Sequence, residues 1–253
     1  MLILIAALAG ACGTACLEAD AAKAEAALAA VAQQLPAAID DMNGSFERPA
    51  EGVSQWKAAA AEVAGLWARF RDARCDPVLL RFEGARGDPR AAATCRARIS
   101  RTAASDLRLR YQLDEKGFGR RDVEAPETGP RRRSEDEGPC AHAPPAECDY
   151  CGINKCWEVR LKGDDGALNV AWRRALARIA AAPGLAAPQR SEWKARLLAG
   201  QRLWLRWRDA NCALEAMETP NPFAHSIYSL VTGPCLAGET EARTAYLRRT
   251  YGG

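Results

Sequence analysis

The sequence predicts an all-α protein made of two similar, disulfide-stapled three-helix modules joined by a flexible linker. Three observations carry that prediction. Residues 54–75 recur as residues 191–212 with 11 identities, among them two tryptophans, an Arg-Asp-Ala triplet and a closing cysteine; a match of that extent marks a duplicated module. Within each copy the apolar residues step by four, three, four and three, the stripe of a packed helix rather than the alternation of a strand. Each copy ends at a cysteine, and a second cysteine follows about 20 residues later, the spacing of a bridge that closes one loop.

The elements follow in order. Residues 1–11 form an apolar run ending in Ala9-Gly10-Ala11 before Cys12. That is a signal-peptide pattern with an A-x-A-like cleavage site, and it is shorter than the roughly 20 residues a bilayer crossing needs. The signal-peptide region is taken as residues 1–15 and the first module as 16–112. The linker is residues 113–147 and the second module 148–253. The first helix of each module spans residues 17–35 and 165–182, alanine-rich or Leu/Arg-rich and stopped by Pro36 and Pro183, since an interior proline lacks the N–H a helix needs.

The second helices carry the repeat. Trp56, Ala60, Val63, Trp67 and Phe70 draw one seam; Trp193, Leu197, Gly200, Trp204 and Trp207 draw its counterpart. These positions predict a core stripe with tryptophan anchors. Ser54 is a candidate N-cap and Pro188 suits a first turn. Residues 76–94 and 213–234, rich in glycine and proline, read as loops. The third helices, 95–111 and 235–251, align Ala97 with Ala237, Leu107 with Leu247, Arg108 with Arg248 and Tyr111 with Tyr251. Between the modules the helical pattern lapses, and the charged run Arg131 to Glu137 with neighbouring prolines reads as a mobile linker.

Composition narrows the function. The chain has 253 residues, 35 basic against 32 acidic side chains and a formal charge of +3. The charges are dispersed and no groove-reading motif accompanies them, so nucleic-acid binding is not expected. No later apolar stretch reaches membrane length. Ten cysteines suit an oxidising compartment, so periplasmic or secreted localisation is expected. Cys12 is the position a lipid anchor would occupy, which would make the protein a membrane-anchored lipoprotein. An even thiol count favours cleavage without lipid.

The chemistry these cysteines supply is structural. Cys75 with Cys95, and Cys212 with Cys235, each join the end of one helix to the start of the next, worth roughly 3 kcal/mol by loop closure. Cys12, Cys16, Cys140, Cys148, Cys151 and Cys156 have no pairing that sequence can choose; Cys16 and Cys156 stand at corresponding places at the head of each module and are each expected to pair locally. Cys140, His142, Cys148, Cys151 and Cys156 could ligate zinc, but exported thiolates oxidise, and no metal or other cofactor is expected. With two histidines and none of the nucleophile-elbow, zincin or phosphate-loop motifs, the chain is read as non-enzymatic. Arg71-Asp72 and Arg208-Asp209, just past the seam, are candidate interaction residues; the preferred account is structural, with Asp pairing to a neighbouring helix and Arg favouring a helix C-terminal end.

The pattern Trp-x2-Phe/Trp-Arg-Asp-Ala-x-Cys, followed by a loop, a cysteine and a helix containing Leu-Arg, resembles the LprI-type lysozyme inhibitor N-terminal domain family. Asp165-Gly-Ala-Leu-Asn-Val-Ala-Trp172 is similar to that family's first-helix pattern. The resemblance covers residues 156–251 and, more loosely, 16–111, where the first helix lacks the Asn. It implies small cysteine-stapled helical domains exported to the bacterial envelope, some of them lysozyme inhibitors, and it assigns no inhibitory residue. The expected function is an exported envelope protein whose partner is a protein, with lysozyme the most specific candidate and occlusion of its cleft by the 76–94 and 213–234 loops the expected mode. The alternative is a structural or stress-related periplasmic interaction module with another partner.

Overall fold

The alanine-rich and seam-bearing stretches fold as helices, most of them longer than their sequence signals. The structure, a computed structural model, describes residues 13–85, 88, 90–114, 117–118, 150–219 and 225–252. Residues 1–12 of the expected leader with Cys12, nearly all of the expected linker, and Cys140, His142 and Cys148 lie outside the described residues. The elements are α1 (Thr14–Asn43), α2 (Ala50–Arg74), α3 (Pro77–Leu80) continuing into a π-helical turn (Arg81–Ala85), α4 (Arg90–Arg110), the two-residue strands β1 (Leu113–Asp114) and β2 (Gly117–Phe118), α5 (Tyr150–Ala180), α6 (Ala187–Met217) and α7 (His225–Tyr251). The strands pair antiparallel with Leu113 opposite Phe118. Two compact units emerge: one holds α1 to α4, the strands and the Ala195–Leu203 stretch of α6, the other α5, α7 and the rest of α6.

Both modules pack their first helix closest to their third, α1 on α4 and α5 on α7. In the first module this contact is made by small residues, Ala21, Ala24, Ala93 and Ala97, with Leu17 against them. In the second, Trp157 stands at the position of Leu17 and Gly233 at that of Ala93. A Cβ at Gly233 would lie 2.6 Å from the Trp157 ring, so glycine is what lets the indole approach. The expected disulfides are formed: Cys75–Cys95, with Cα atoms 5.6 Å apart, and Cys212–Cys235, 5.5 Å apart. All four cysteines are buried.

Several element boundaries differ from expectation, each for a packing reason. Pro36 does not stop α1, which continues to Asn43. Burial of Leu35, Ala38 and Ile39 on both sides of the proline offsets the missing hydrogen bond. Pro234 likewise lies inside α7, flanked by the buried Gly233 and Cys235. α6 runs past Cys212 because Leu214 and Ala216 prolong its buried stripe, so the expected 213–234 loop contracts to the connection after Met217. The 76–94 segment is largely helical: the Asp76 carboxylate accepts hydrogen bonds from the backbone N–H of Val78 (2.8 Å) and Leu79 (3.2 Å), capping α3. Within the π turn Gly84 kinks the chain with φ of 106°, a left-handed conformation that costs a glycine little. Ser54 is interior to α2, whose N-cap is Pro49. α5 begins at Tyr150, ahead of the expected start of the second module's first helix at residue 165.

The seam also rotates. In α2 the buried residues are Trp56, Ala60, Val63 and Leu66, leaving Trp67 and Phe70 half-buried. In α6 Trp193, Leu197, Gly200 and Trp204 are buried but Trp207 is not. A 3.5-residue repeat drifts by about 20° per heptad on a straight helix, which carries the last seam position off the covered face.

Candidate protein-interaction site

Arg71 lies one turn after Trp67 and Arg208 one turn after Trp204, so each guanidinium sits over the indole of its own helix, 5.7 Å and 5.1 Å from the ring centroid. Each arginine grips the next residue: Nε donates to Oδ1 of Asp72 and of Asp209 at 2.8 Å. The remaining nitrogen turns to the first helix of its module. Arg71 Nη1 lies 3.9 Å from Glu25, and Arg208 Nη1 lies 3.4 Å from Asp165. In the second module Arg208 also donates to Thr240 Oγ1 of α7 at 3.0 Å. In the first, Glu25 is 3.2 Å from Arg96 Nε of α4. In the second copy the arginine itself joins three helices; in the first Arg71 reaches α1 and Glu25 carries the link on to α4.

The exposures separate the two halves of each dyad. The arginine side chains are 14% and 12% exposed, whereas Asp72 and Asp209 are each 60% exposed. The arginines are spent on helix packing over an aromatic face; what reaches solvent is the aspartate, already neutralised by its neighbour. Arg208-Asp209 is not in a last helical turn, since α6 continues to Met217.

Near the second dyad the electrostatics are crowded. The Asp164 carboxyl is pushed above the usual carboxylate range, chiefly by burial; Arg160 at 3.7 Å opposes the shift while Glu241 and Asp165 add to it. Arg160 spans from Asp164 to Glu241 of α7, 2.8 Å away. Of the other cysteines singled out by sequence, Cys16 is disulfide-bonded, Cys151 lies in α5 and Cys156 is buried. Among the described residues no group of three or more His, Cys, Asp or Glu is placed to hold a metal ion. No helix of the described residues is long and apolar enough to cross a membrane.

The family model described as Lysozyme inhibitor LprI matches residues 8–107 and again residues 140–247. The chain belongs to the LprI lysozyme-inhibitor family. It carries two tandem LprI copies, each containing one three-helix module, one Arg-Asp dyad and one disulfide between the second and third helices. No curated protein and no solved structure matches it. Sequence reasoning named Asp165 only as part of the first-helix pattern and did not find Glu25, and it did not connect either to the dyads as their shared acidic partner. The signal was present: each stands three residues before the aligned Leu28 and Leu168.

Proposed function

We propose that this LprI-family protein is exported to the bacterial envelope and inhibits lysozyme without any chemistry of its own, by covering the enzyme's cleft. The match of the lysozyme-inhibitor family model to both modules carries this reading. Two buried disulfides support an oxidising compartment. Such a cleft is lined by the pair of carboxylates that glycoside hydrolysis requires, which favours a pre-ordered blocking surface that presents a cation. The stretch from Asp76 to Ala85 fits that need: it follows directly on the Cys75–Cys95 bridge, is tied down by an Arg74–Glu83 pair at 3.1 Å, and carries exposed Arg81. Order imposed before binding lowers the entropic cost of docking.

Cell-wall turnover by lysozyme should fall in proportion to added purified, oxidised protein, and Arg81→Glu should weaken inhibition about tenfold through charge opposition. Undiminished turnover at large excess ends this reading. Recovery of a different envelope protein in a pull-down with no lysozyme retained would establish the alternative, an interaction module with another partner.

A further inference from the structure

Beside the Cys75–Cys95 bridge the first unit has an open concavity of about 430 Å³, the size of a small-ligand site. Leu17 of α1 and Leu80 of α3 give it apolar surface. Arg90, Thr94 and Arg98 of α4 form one wall, and Arg74 at the end of α2 adds a third guanidinium. The four-residue spacing of Arg90, Thr94 and Arg98 places both guanidiniums and the hydroxyl on one helix face. Two of the three cations have local counterions: Arg74 pairs with Glu83 at 3.1 Å and Arg90 with Asp88 at 2.9 Å. The Arg98 guanidinium, exposed, has no ion-pair or hydrogen-bond partner among the described residues.

The second module shows that the fold does not need these groups. Counted from the matching disulfide, Asn211 stands for Arg74, Leu230 for Arg90, Pro234 for Thr94 and Gly238 for Arg98, all uncharged. Where the first module has Leu17, the second has the larger Trp157, packed down on Gly233. The same three-helix packing is thus built once with a basic, partly open recess and once without its charges.

We propose that this concavity is a binding site for a small oxyanion ligand, a carboxylate or phosphate carried on a short apolar stem. The anion takes charge-assisted hydrogen bonds from Arg98 and a hydrogen bond from the Thr94 hydroxyl, and the stem lies on Leu17 and Leu80. The site is independent of lysozyme binding.

The test is calorimetric titration of the oxidised, full-length protein with butyl phosphate, hexanoate and inorganic phosphate at fixed ionic strength, with arginine Nε–Hε resonances followed in parallel. Saturable binding is expected for at least one of the two stemmed probes, tighter than for inorganic phosphate, with shifts centred on Arg90 and Arg98. Whichever stemmed probe binds more tightly distinguishes a phosphate from a carboxylate ligand. Arg98→Gln should weaken binding about tenfold. Leu17→Trp with Ala93→Gly, which copies the second module, should abolish it while circular dichroism stays helical. Arg69→Gln, on the exposed surface of α2, should leave binding unchanged. Absence of saturation into the millimolar range, equal affinity in Arg98→Gln, or an equal loss in Arg69→Gln would overturn the site.

Discussion

The two modules share a plan and reverse its chemistry. At the contact between first and third helices the first module pairs Asp20 of α1 with Arg101 of α4, and the second pairs Arg160 of α5 with Glu241 of α7. These are corresponding positions, 81 residues apart in both copies, and the sign has been exchanged. Size is exchanged at the neighbouring contact, where Leu17 and Ala93 in one copy become Trp157 and Gly233 in the other. The interior differs as well: Arg243, Thr232 and Thr244 are buried in the second module, where the first has alanine at positions 103, 92 and 104. Arg243 is accommodated between aromatic faces, 5.7 Å from the Trp204 centroid and 4.8 Å from that of Tyr246. A duplicated fold therefore preserves the complementarity of each contact, not the residues that make it. Crossing the helices would set Asp20 against Glu241 and Arg160 against Arg101, so each copy favours its own partner helix.

Ways to break this comparison follow in order of effect. Removing either bridge as a paired Cys→Ala change should cost about 3 kcal/mol, and nearly equally, because the bridges span 20 and 23 residues. Urea denaturation of the two variants measures this, and a large inequality would show that the loops differ in more than closure entropy. Next in size, Gly233→Ala should destabilise by about 1–3 kcal/mol through overpacking against Trp157. Adding Trp157→Leu, which recreates the first module's pair, should recover part of that loss in the same denaturation assay.

Smaller effects belong to the charges. Arg101→Glu sets two carboxylates face to face and should cost no more than about 1 kcal/mol, since Arg101 and Asp20 are 56% and 40% exposed. Asp20→Arg in the same chain should restore the pair, and a double-mutant cycle reads the coupling. The smallest effect is pH-dependent. Because burial raises the Asp164 pKa in the folded protein, the native state holds that proton more readily than the unfolded chain. This carboxylate therefore subtracts stability as pH rises from its unfolded pKa through the folded one. Asp164→Asn should raise the Tm slightly at pH 7, and the gain should vanish below the ordinary carboxylate range.

Much of the fold was readable because its signals are local or periodic. The repeat located the second helices, and a cysteine at each of their ends identified both bridges. The candidate dyads were found for the same reason, being adjacent residues at a fixed offset from the seam. What they do was not readable: whether Arg71 and Arg208 face solvent depends on Glu25 and Asp165, which sit on other helices. Helix ends were misread at Pro36 and Pro234 because local propensity yielded to burial of the residues around each proline.

The amino-acid order by itself determined the duplication, the helical class and the two bridges Cys75–Cys95 and Cys212–Cys235, all properties of short windows or of identical spacing repeated along the chain. Only the tertiary structure decided that the dyad arginines are turned inward, that helices pass through their prolines, and that one copy keeps a basic recess where the other carries uncharged residues. Those outcomes rest on contacts between residues far apart in the chain, where burial energy and charge partners outweigh what any local segment prefers.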